Sequence, residues 1–87
     1  PAPADDTPAA RGRFRQRCEI VANTYLLSRR ESEVMYYLAR GYKSSHIQQQ
    51  LYISEGTAKT HIRHIYEKCE VSSRQALIDL LQSHPGD

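Results

Sequence analysis

The clearest pattern in the chain is a narrow apolar stripe between residues 54 and 69. Apolar side chains recur there at steps of four, three and four residues, which places them on one side of an α-helix. At about 100° per residue, the opposite side carries two cations and a hydroxyl but no large apolar group. Ser54 is placed to cap this helix, and Glu55 favours the positive end of its dipole. The apolar positions are Ala58, Ile62, Ile65 and Cys69.

Helical spacing first begins at about residue 13. Residues 1–12 contain three of the four prolines and no apolar face to bury, so we predict a linker or disordered N-terminus there. An N-terminal helix is expected over residues 13–26, and a helical domain over residues 27–83. The chain lacks an initiating Met and starts with Pro-Ala-Pro-Ala, which favours a fragment of a longer protein.

Caps and turns mark the helices within residues 27–83. Ser28 with Glu31 three positions later forms a capping box at the start of the first helix, and Gly41 is suited to ending it in the left-handed conformation. A short helix at about 44–51 then reaches the long helix through a tight turn. A short helix, a turn and a longer helix with a cationic outer face form the helix-turn-helix pattern of DNA-binding proteins.

The last helix, which ends at about Gln82, is unusually apolar. It carries more apolar surface than one short helix needs to dock on a small core. It is either a well-anchored C-terminal helix or a face for self-association, and the sequence leaves both interpretations open. Its apolar positions are Ala76, Leu77, Leu80 and Leu81, with Ile78 to one side.

The net charge is small. Twelve Lys and Arg against ten Asp and Glu give +2, so a nucleic-acid interface depends on where the cations lie. Two cysteines do not make a disulfide framework, and both lie on apolar stripes, as expected for reduced core thiols of a cytosolic protein. No apolar run reaches the length of a membrane span, so we expect no membrane contact by this fragment.

Alternate positions near the N-terminus carry arginine. The first interpretation is a solvated helix start. The second is a basic arm that touches DNA phosphates or, in a longer and membrane-tethered protein, an anionic membrane surface. The residues are Arg11, Arg13, Arg15 and Arg17.

Metal and catalytic sites have little support. His61 and His64 lie three positions apart, but Cys69 falls on the buried stripe and no fourth ligand is near in sequence, so we predict no metal. There is no Gly-rich phosphate loop, no nucleophile elbow and no acid pair with a reason to lie in a cleft, so we predict neither an enzyme nor a cofactor. A helical protein-interaction module or a sigma-factor-like domain is the alternative to DNA binding.

A longer series of positions, in one unbroken register, points to a known family. The positions are Leu27-Ser28-Arg29-Arg30-Glu31, Glu33-Val34, Leu38-Ala39, Gly41, Ile47, Leu51, Ile53-Ser54-Glu55-Gly56-Thr57, Lys59, His61-Ile62, Ile65, Lys68, Val71 and Ser73-Arg74. Together they resemble the four-helix DNA-binding domain of LuxR-type transcription regulators, also found in NarL/FixJ-type response regulators. The resemblance implies an all-α, four-helix LuxR-type helix-turn-helix bundle, here with an extra N-terminal helix. It also implies a C-terminal output domain of a bacterial transcription regulator that binds specific DNA sequences.

The resemblance implies roles for individual residues and partners. In the family, the outer face of the third helix, here at about 55–69, enters the major groove. The implied base contacts are Lys59, Thr60 and Arg63, of which Arg63 has the planar fork that matches guanine. The implied contacts to the DNA backbone are Ser45, His46, Thr57, His61, His64 and Lys68. Dimerisation through the last helix implies an interface of Leu77, Ile78 and Leu81. The implied partners are double-stranded DNA, a second copy of the chain and RNA polymerase.

Four positions depart from the family pattern. Gln48 stands where a small Ala is usual, Ala58 replaces a common Val, and Cys69 replaces Leu. Glu70 replaces the usual Gly or Asn where the long helix ends. A strained or differently shaped turn is therefore expected at Glu70.

Overall fold

The domain is built from five helices in one chain. A computed structural model describes residues 8–83, with side chains from residue 12 onward. Within this range all regular structure is α-helical, which confirms the all-α prediction. The helices are α1 (Pro8–Thr24), α2 (Arg29–Ala39), α3 (Ser44–Leu51), α4 (Glu55–Cys69) and α5 (Arg74–Ser83). Helices α2 to α5 correspond to the four helices of the predicted LuxR-type bundle.

The N-terminal helix starts earlier than the sequence pattern suggested. Helix α1 begins at Pro8 rather than near residue 13, and it ends at Thr24. Residues 8–12 therefore belong to a helix and not to a linker, while residues 1–7 of the predicted linker lie outside the described part. A proline is compatible with the first helical position because the N–H that it lacks has no partner within the helix there.

Serine caps set the starts of α2 and α4. The Oγ of Ser28 accepts the N–H of Glu31 at 3.1 Å, and the Oε1 of Glu31 accepts the N–H of Ser28 at 2.8 Å, which closes the predicted capping box. The Oγ of Ser54 accepts the N–H of Thr57 at 3.1 Å. These bonds satisfy N–H groups that lack a partner inside the helix. They fix the residue at which each helix begins.

Helices α1 to α4 all end with the same hydrogen bond, in which an N–H reaches back over five residues to a carbonyl of the last turn. This bond requires a left-handed residue just before the donor. Gly41, at φ 90°, meets the requirement after α2, but Leu26, Tyr52 and Glu70 adopt φ near 55–57° without being glycine. The bonds run from Leu27 to Ala22 (2.9 Å), Tyr42 to Tyr37 (3.2 Å), Ile53 to Gln48 (3.1 Å) and Val71 to Tyr66 (3.0 Å). The strained turn expected at Glu70 is therefore present.

Helix α2 lies at the centre of the core. It packs against each of the other four helices, while α1 packs on α2 and α5. The extra N-terminal helix is thus part of the domain, and its Val21 is fully buried. Burial of one such side chain contributes about 1.5–3 kcal/mol. The core residues are Cys18, Val21, Ala22, Val34, Met35, Leu38, Ala39, Ile47, Ile65, Cys69, Leu77 and Leu81.

Both cysteines are buried, and neither forms a disulfide. Burial raises the pKa of Cys18 to about 12 and that of Cys69 to about 11. Thiols with such pKa values hold almost no thiolate near neutral pH and are poor nucleophiles and metal ligands. Over residues 8–83, no helix is long and apolar enough to cross a bilayer.

Candidate nucleic-acid interface

Helices α3 and α4 form a helix-turn-helix unit. The turn between them has three residues: Tyr52 in the left-handed conformation, half-buried Ile53, and the cap Ser54. Helix α3 packs on α4, and α4 packs on α2. These contacts fix the angle between the two helices and leave one face of α4 outward.

The outward face of α4 is set by what its other side buries. Ala58, Ile65 and Cys69 are buried from the stripe predicted in the sequence. On the other side, Lys59 and Arg63 are exposed. Within the described range, Arg63 has no hydrogen-bond or ion-pair partner. The structure therefore places these two predicted base-reading cations together and accessible.

Two of the predicted base contacts have neighbours that affect their reach. The Nζ of Lys59 lies 3.0 Å from the Oε2 of Glu55, one turn earlier, and both side chains are largely exposed. An exposed pair of this kind contributes little to stability, so Lys59 can leave it at small cost. Thr60 is half-buried on the same side of the helix, which keeps its short side chain close to the helix surface.

At the start of α3, aromatic neighbours hold one of the two predicted phosphate contacts, His46, in place. The His46 ring stacks on Tyr42, with centroids 4.5 Å apart, and meets Tyr37 edge-on at 5.8 Å. Ser45 is exposed beside it. Helix α3 has no side-chain cap, since its N-cap residue is Lys43 and makes no such bond. The N–H of His46 donates to the carbonyl of Lys43 at 3.0 Å, whereas those of Ser44 and Ser45 have no hydrogen-bond partner among the described residues and are available to an acceptor from outside.

The predicted phosphate contacts on α4 form a row along one flank, and they differ in availability. Thr57 is exposed near the N-terminus of the helix, and its Oγ1 receives a hydrogen bond from the Oγ of Ser54 at 3.0 Å. His61 is half-buried, and its Nδ1 is buried with no hydrogen-bond partner among the described residues. His64 and Lys68 both face a carboxylate.

That carboxylate belongs to Glu31, the one buried charged residue in the described range. The Nζ of Lys68 donates to Oε1 of Glu31 at 2.7 Å and to the carbonyl of Leu26 at 3.4 Å, and the Nδ1 of His64 lies 3.3 Å from Oε2 of Glu31. Burial alone raises the pKa of Glu31, but the hydrogen bonds from Lys68 and Ser28, with the charge of Lys68, outweigh it and lower the pKa to about 2.

The Glu31 cluster was not foreseen as a whole, and it bears on the predicted role of Lys68. Lys68 was expected to contact the DNA backbone, but its ammonium is directed at α2. The structure therefore favours a bracing role for Lys68. The sequence indicated that Glu31 caps α2, yet its partners on α4 lie 33 and 37 positions away, and no local pattern connects them.

Arg74 is a second residue whose position the sequence did not reveal. Its Nη1 donates to the carbonyl of Tyr42 at 2.9 Å and to that of Leu38 at 3.3 Å. These carbonyls lie at the end of α2 and in the loop that follows. Arg74 thereby ties the first residue of α5 to the loop that leads into the helix-turn-helix unit.

The predicted dimer interface is only partly on the surface. Leu77 and Leu81 are 0% and 1% exposed, because they pack into the core of their own chain. Their assignment to a contact with a second copy is therefore wrong. Ile78 is half-buried and still presents part of its side chain outward.

The three described arginines near the N-terminus differ in exposure and contacts. Arg13 is exposed, whereas the guanidinium of Arg15 lies 4.4 Å from the centre of the Tyr36 ring. Arg17 is half-buried, with a buried Nε that has no hydrogen-bond partner in the described range. The side chain of Arg11 lies outside the described residues. For Arg15, the stacking on Tyr36 favours a structural role.

Comparison with known proteins identifies the family. Residues 25–81 match the model for bacterial regulatory proteins of the luxR family. The chain is 42% identical over 67 residues to a probable transcriptional regulatory protein NarL of Mycobacterium tuberculosis. The matched residues make up 77% of this chain and 30% of that protein. It is 37% identical over 73 residues to the response regulator protein VraR of Staphylococcus saprophyticus. These residues make up 83% of this chain and 34% of the relative.

A third relative is the transcriptional regulatory protein DegU of Brevibacillus brevis, 38% identical over 60 residues that make up 68% of this chain and 25% of the relative. The chain thus spans about a third or less of the length of these relatives. No solved structure matches the chain significantly. The match covers helices α2 to α5 and the helix-turn-helix unit within them. The chain therefore belongs to the luxR family of bacterial regulatory proteins and is a DNA-binding domain of a transcription regulator.

Proposed function

We propose that this domain binds a specific DNA sequence with α4 in the major groove, as the C-terminal output domain of its regulator. The observation that carries the proposal is the division of α4 into two sides. Ala58 and Ile65 are fully buried, while Lys59 and Arg63 are exposed on the other side. An α-helix fits the major groove, and such side chains reach base edges there.

Arg63 is the main base-reading residue in this proposal. Its guanidinium has no partner in the described range, so contact with a base does not require an internal bond to break. A planar guanidinium can donate two parallel hydrogen bonds to the O6 and N7 of guanine. Lys59 reaches a guanine or a phosphate, and Thr60 offers its methyl group to thymine.

The start of α3 anchors the domain on the DNA backbone. Its unbonded N–H groups and positive dipole end suit a phosphate, and Ser45 and His46 lie beside them. Stacking on Tyr42 holds the His46 ring in place before DNA arrives. Such contacts fix the register of the protein on the duplex without reading its sequence.

The assembly proposed here is a homodimer on two half-sites, with RNA polymerase as a further partner in the cytoplasm. Since Leu77 and Leu81 are occupied in the core, the side of α5 that remains for a second copy is the one with Ile78. A two-fold arrangement allows two copies of α4 to enter successive major grooves on one face of the duplex.

A salt titration of binding to duplex DNA tests this proposal. The parent chain is compared with Lys59→Ala/Arg63→Ala and with Arg13→Ala/Arg15→Ala, which removes the same charge from α1. Each phosphate contact that is lost should lower the slope of log affinity against log salt by about 1, so the slope should fall in the α4 variant alone.

Three outcomes would argue otherwise. Equal slopes in the parent and the α4 variant would show that α4 is not the DNA-contacting helix. An equal loss in the α1 variant would bring the N-terminal arginines into the interface. No binding by the parent at low salt would favour the helical protein-interaction module instead.

A further inference from the structure

We propose that His64 contacts a DNA phosphate as an imidazolium oriented by the buried carboxylate of Glu31, so that DNA binding takes up a proton at this residue. In this arrangement His64 is the contact, and Glu31 is a positioning residue that never touches DNA. The inference rests on the proposed docking of α4 in the major groove.

The position of His64 on α4 places it at the border of the outward face. It follows Thr60 by four residues, which at 100° per residue is a rotation of about 40° toward the flank. Its side chain is 41% exposed. Residues at such a border face the sugar-phosphate walls of the groove when the centre of the face meets the bases.

The orientation of the ring follows from Glu31. The Oε2 of this carboxylate lies 3.3 Å from the Nδ1 of His64, and the carboxylate side chain is only 6% exposed. Because its pKa is lowered to about 2, Glu31 carries its negative charge throughout the neutral range. A negatively charged acceptor 3.3 Å from Nδ1 favours the form of the ring that carries a proton on this nitrogen.

The second nitrogen, Nε2, points away from Glu31 across the ring. No hydrogen bond or ion pair involves it among the described residues. In the neutral ring with its proton on Nδ1, Nε2 presents a lone pair, which repels a phosphate oxygen. In the imidazolium, Nε2–H donates a charge-assisted hydrogen bond to that oxygen.

Binding to DNA changes the charge balance around the ring. Without DNA, the ammonium of Lys68 lies 2.7 Å from the same carboxylate and offsets its attraction for a proton on His64. A phosphate at Nε2 adds a second anion on the side away from Lys68. Two anions flanking one imidazole favour its charged form, so protonation of His64 and phosphate binding at Nε2 support each other.

The helices that pack on α4 carry other charged groups, and one of them, Arg29, is exposed at the start of α2. On α2, Arg30 and Glu33 pair with each other at 3.0 Å on the surface. On α3, the sole titratable side chain is that of His46, which stacks on Tyr42. On α5, Arg74 donates to two carbonyls and Asp79 accepts from Gln75. On α4 itself, His61 lies three positions before His64, and the exposed Glu67 and Lys68 lie three and four positions after it. Within the described range, Glu31 is the charged group that pairs with His64, and Lys68 shares that carboxylate.

The test is the affinity for duplex DNA from about pH 6 to about pH 8.5 at constant ionic strength. The parent should lose about five- to tenfold in affinity as pH rises across this range. His64→Gln should bind weakly with little of that pH dependence, and His64→Lys should bind tightly without it. His46→Gln and His61→Gln should each retain the part of the pH dependence that His64→Gln removes.

Glu31→Gln tests the positioning role, because the amide can still accept the N–H of Ser28. It should weaken binding most at low pH, and adding His64→Lys should restore affinity. Thermal unfolding of each variant shows that it is folded at the pH of the measurement. Calorimetry in two buffers of different ionisation enthalpy should show proton uptake by the parent that His64→Gln lacks.

A pH dependence that survives His64→Gln would overturn the inference while leaving DNA binding by α4 intact. Failure of His64→Lys to restore affinity in the Glu31→Gln background would overturn the positioning role of Glu31. If the parent does not bind DNA at any pH, the proposed function fails, and this inference fails with it.

Discussion

The Nζ of Lys68 lies 2.7 Å from the Oε1 of Glu31, so the last turn of α4 is bonded to the first turn of α2. The same carboxylate caps α2 through the N–H of Ser28. One buried acid therefore sets both where α2 starts and how α4 lies on it. The helix that carries Arg63 is therefore held in place by a buried carboxylate.

This bond predicts an acid-sensitive component of stability. The folded-state pKa of Glu31 is about 2, below its ordinary value of 4.5, so its contribution is present above pH 4.5 and is lost as pH falls toward 2. The shift corresponds to about 3 kcal/mol in the free energy of unfolding. Urea unfolding of the parent and Lys68→Met between about pH 2 and about pH 7 measures it. The variant should be less stable near neutral pH, and its stability should fall less on acidification. Equal pH profiles would show that the pair contributes nothing.

Arg63→Ala should weaken binding to the specific site by about 1–3 kcal/mol and relax the preference at one base pair. The reason is the loss of a bidentate contact that no neighbouring side chain replaces. Selection from random duplexes, with affinity measured on the best site, reports both effects. Arg13→Ala removes an exposed arginine from α1 and should leave the base preference unchanged. If Arg63→Ala keeps the affinity for the specific site and the base preference of the parent, α4 does not lie in the major groove.

Glu70→Gly should stabilise the domain. Glu70 holds φ 57° at the end of α4, which costs an L-residue about 1–2 kcal/mol, and glycine adopts that conformation without the clash. A gain of 1 kcal/mol corresponds to a rise in Tm of about 4–8 °C for a domain of this size. Gly41→Ala is the matched reverse change, since its φ is 90° and no atom lies within 4 Å of the added Cβ. It should lower Tm through backbone strain alone, and a rise in Tm would contradict this account.

Ile78→Asp should reduce self-association on DNA with two half-sites while leaving the fold intact. Its side chain is half-exposed, so the new charge can reach water in the monomer but not in a dimer that buries it. Gln82→Asp places the same charge on an exposed position of α5 and serves as the control. Sedimentation velocity with and without DNA measures the effect. If Ile78→Asp and Gln82→Asp behave alike, the second copy does not contact Ile78.

Leu81→Ala tests whether Leu81 belongs to the core of its own chain rather than to a dimer interface. Leu81 is 1% exposed in the core, so truncation should cost about 2–5 kcal/mol of stability in the monomer, independent of protein concentration. Chemical unfolding at two protein concentrations measures it. A loss of stability that increased with protein concentration would instead indicate that Leu81 lies in an interface between two copies.

The parts of the fold that could be predicted from the sequence depend on residues close together in the chain. The capping box at Ser28, the left-handed turn at Gly41 and the apolar stripe of α4 each need only a few neighbouring positions. The strain at Glu70 could be predicted for the same reason, because the conformation at a helix end depends on the residue at that position and its close neighbours in the chain.

The remaining features depend on contacts between distant segments. Helical spacing shows that Leu77, Ile78 and Leu81 are apolar, but it does not show which of them the rest of the chain covers. That depends on how the other helices pack against α5. Likewise, the approach of His64 and Lys68 to Glu31 requires the packing of α4 on α2. The outward side of α4 was predictable because the buried side of the same helix determines it.

The packing of α1 on α2 and α5 also makes this helix a mechanical element. Its 17 residues form a rod about 26 Å long. Close-packed side chains transmit displacement rather than absorb it, so α1 cannot tilt without moving α2, on which α4 is mounted. A rotation imposed at Pro8 would therefore change the orientation of α4 and, in the proposed complex, its angle in the DNA groove.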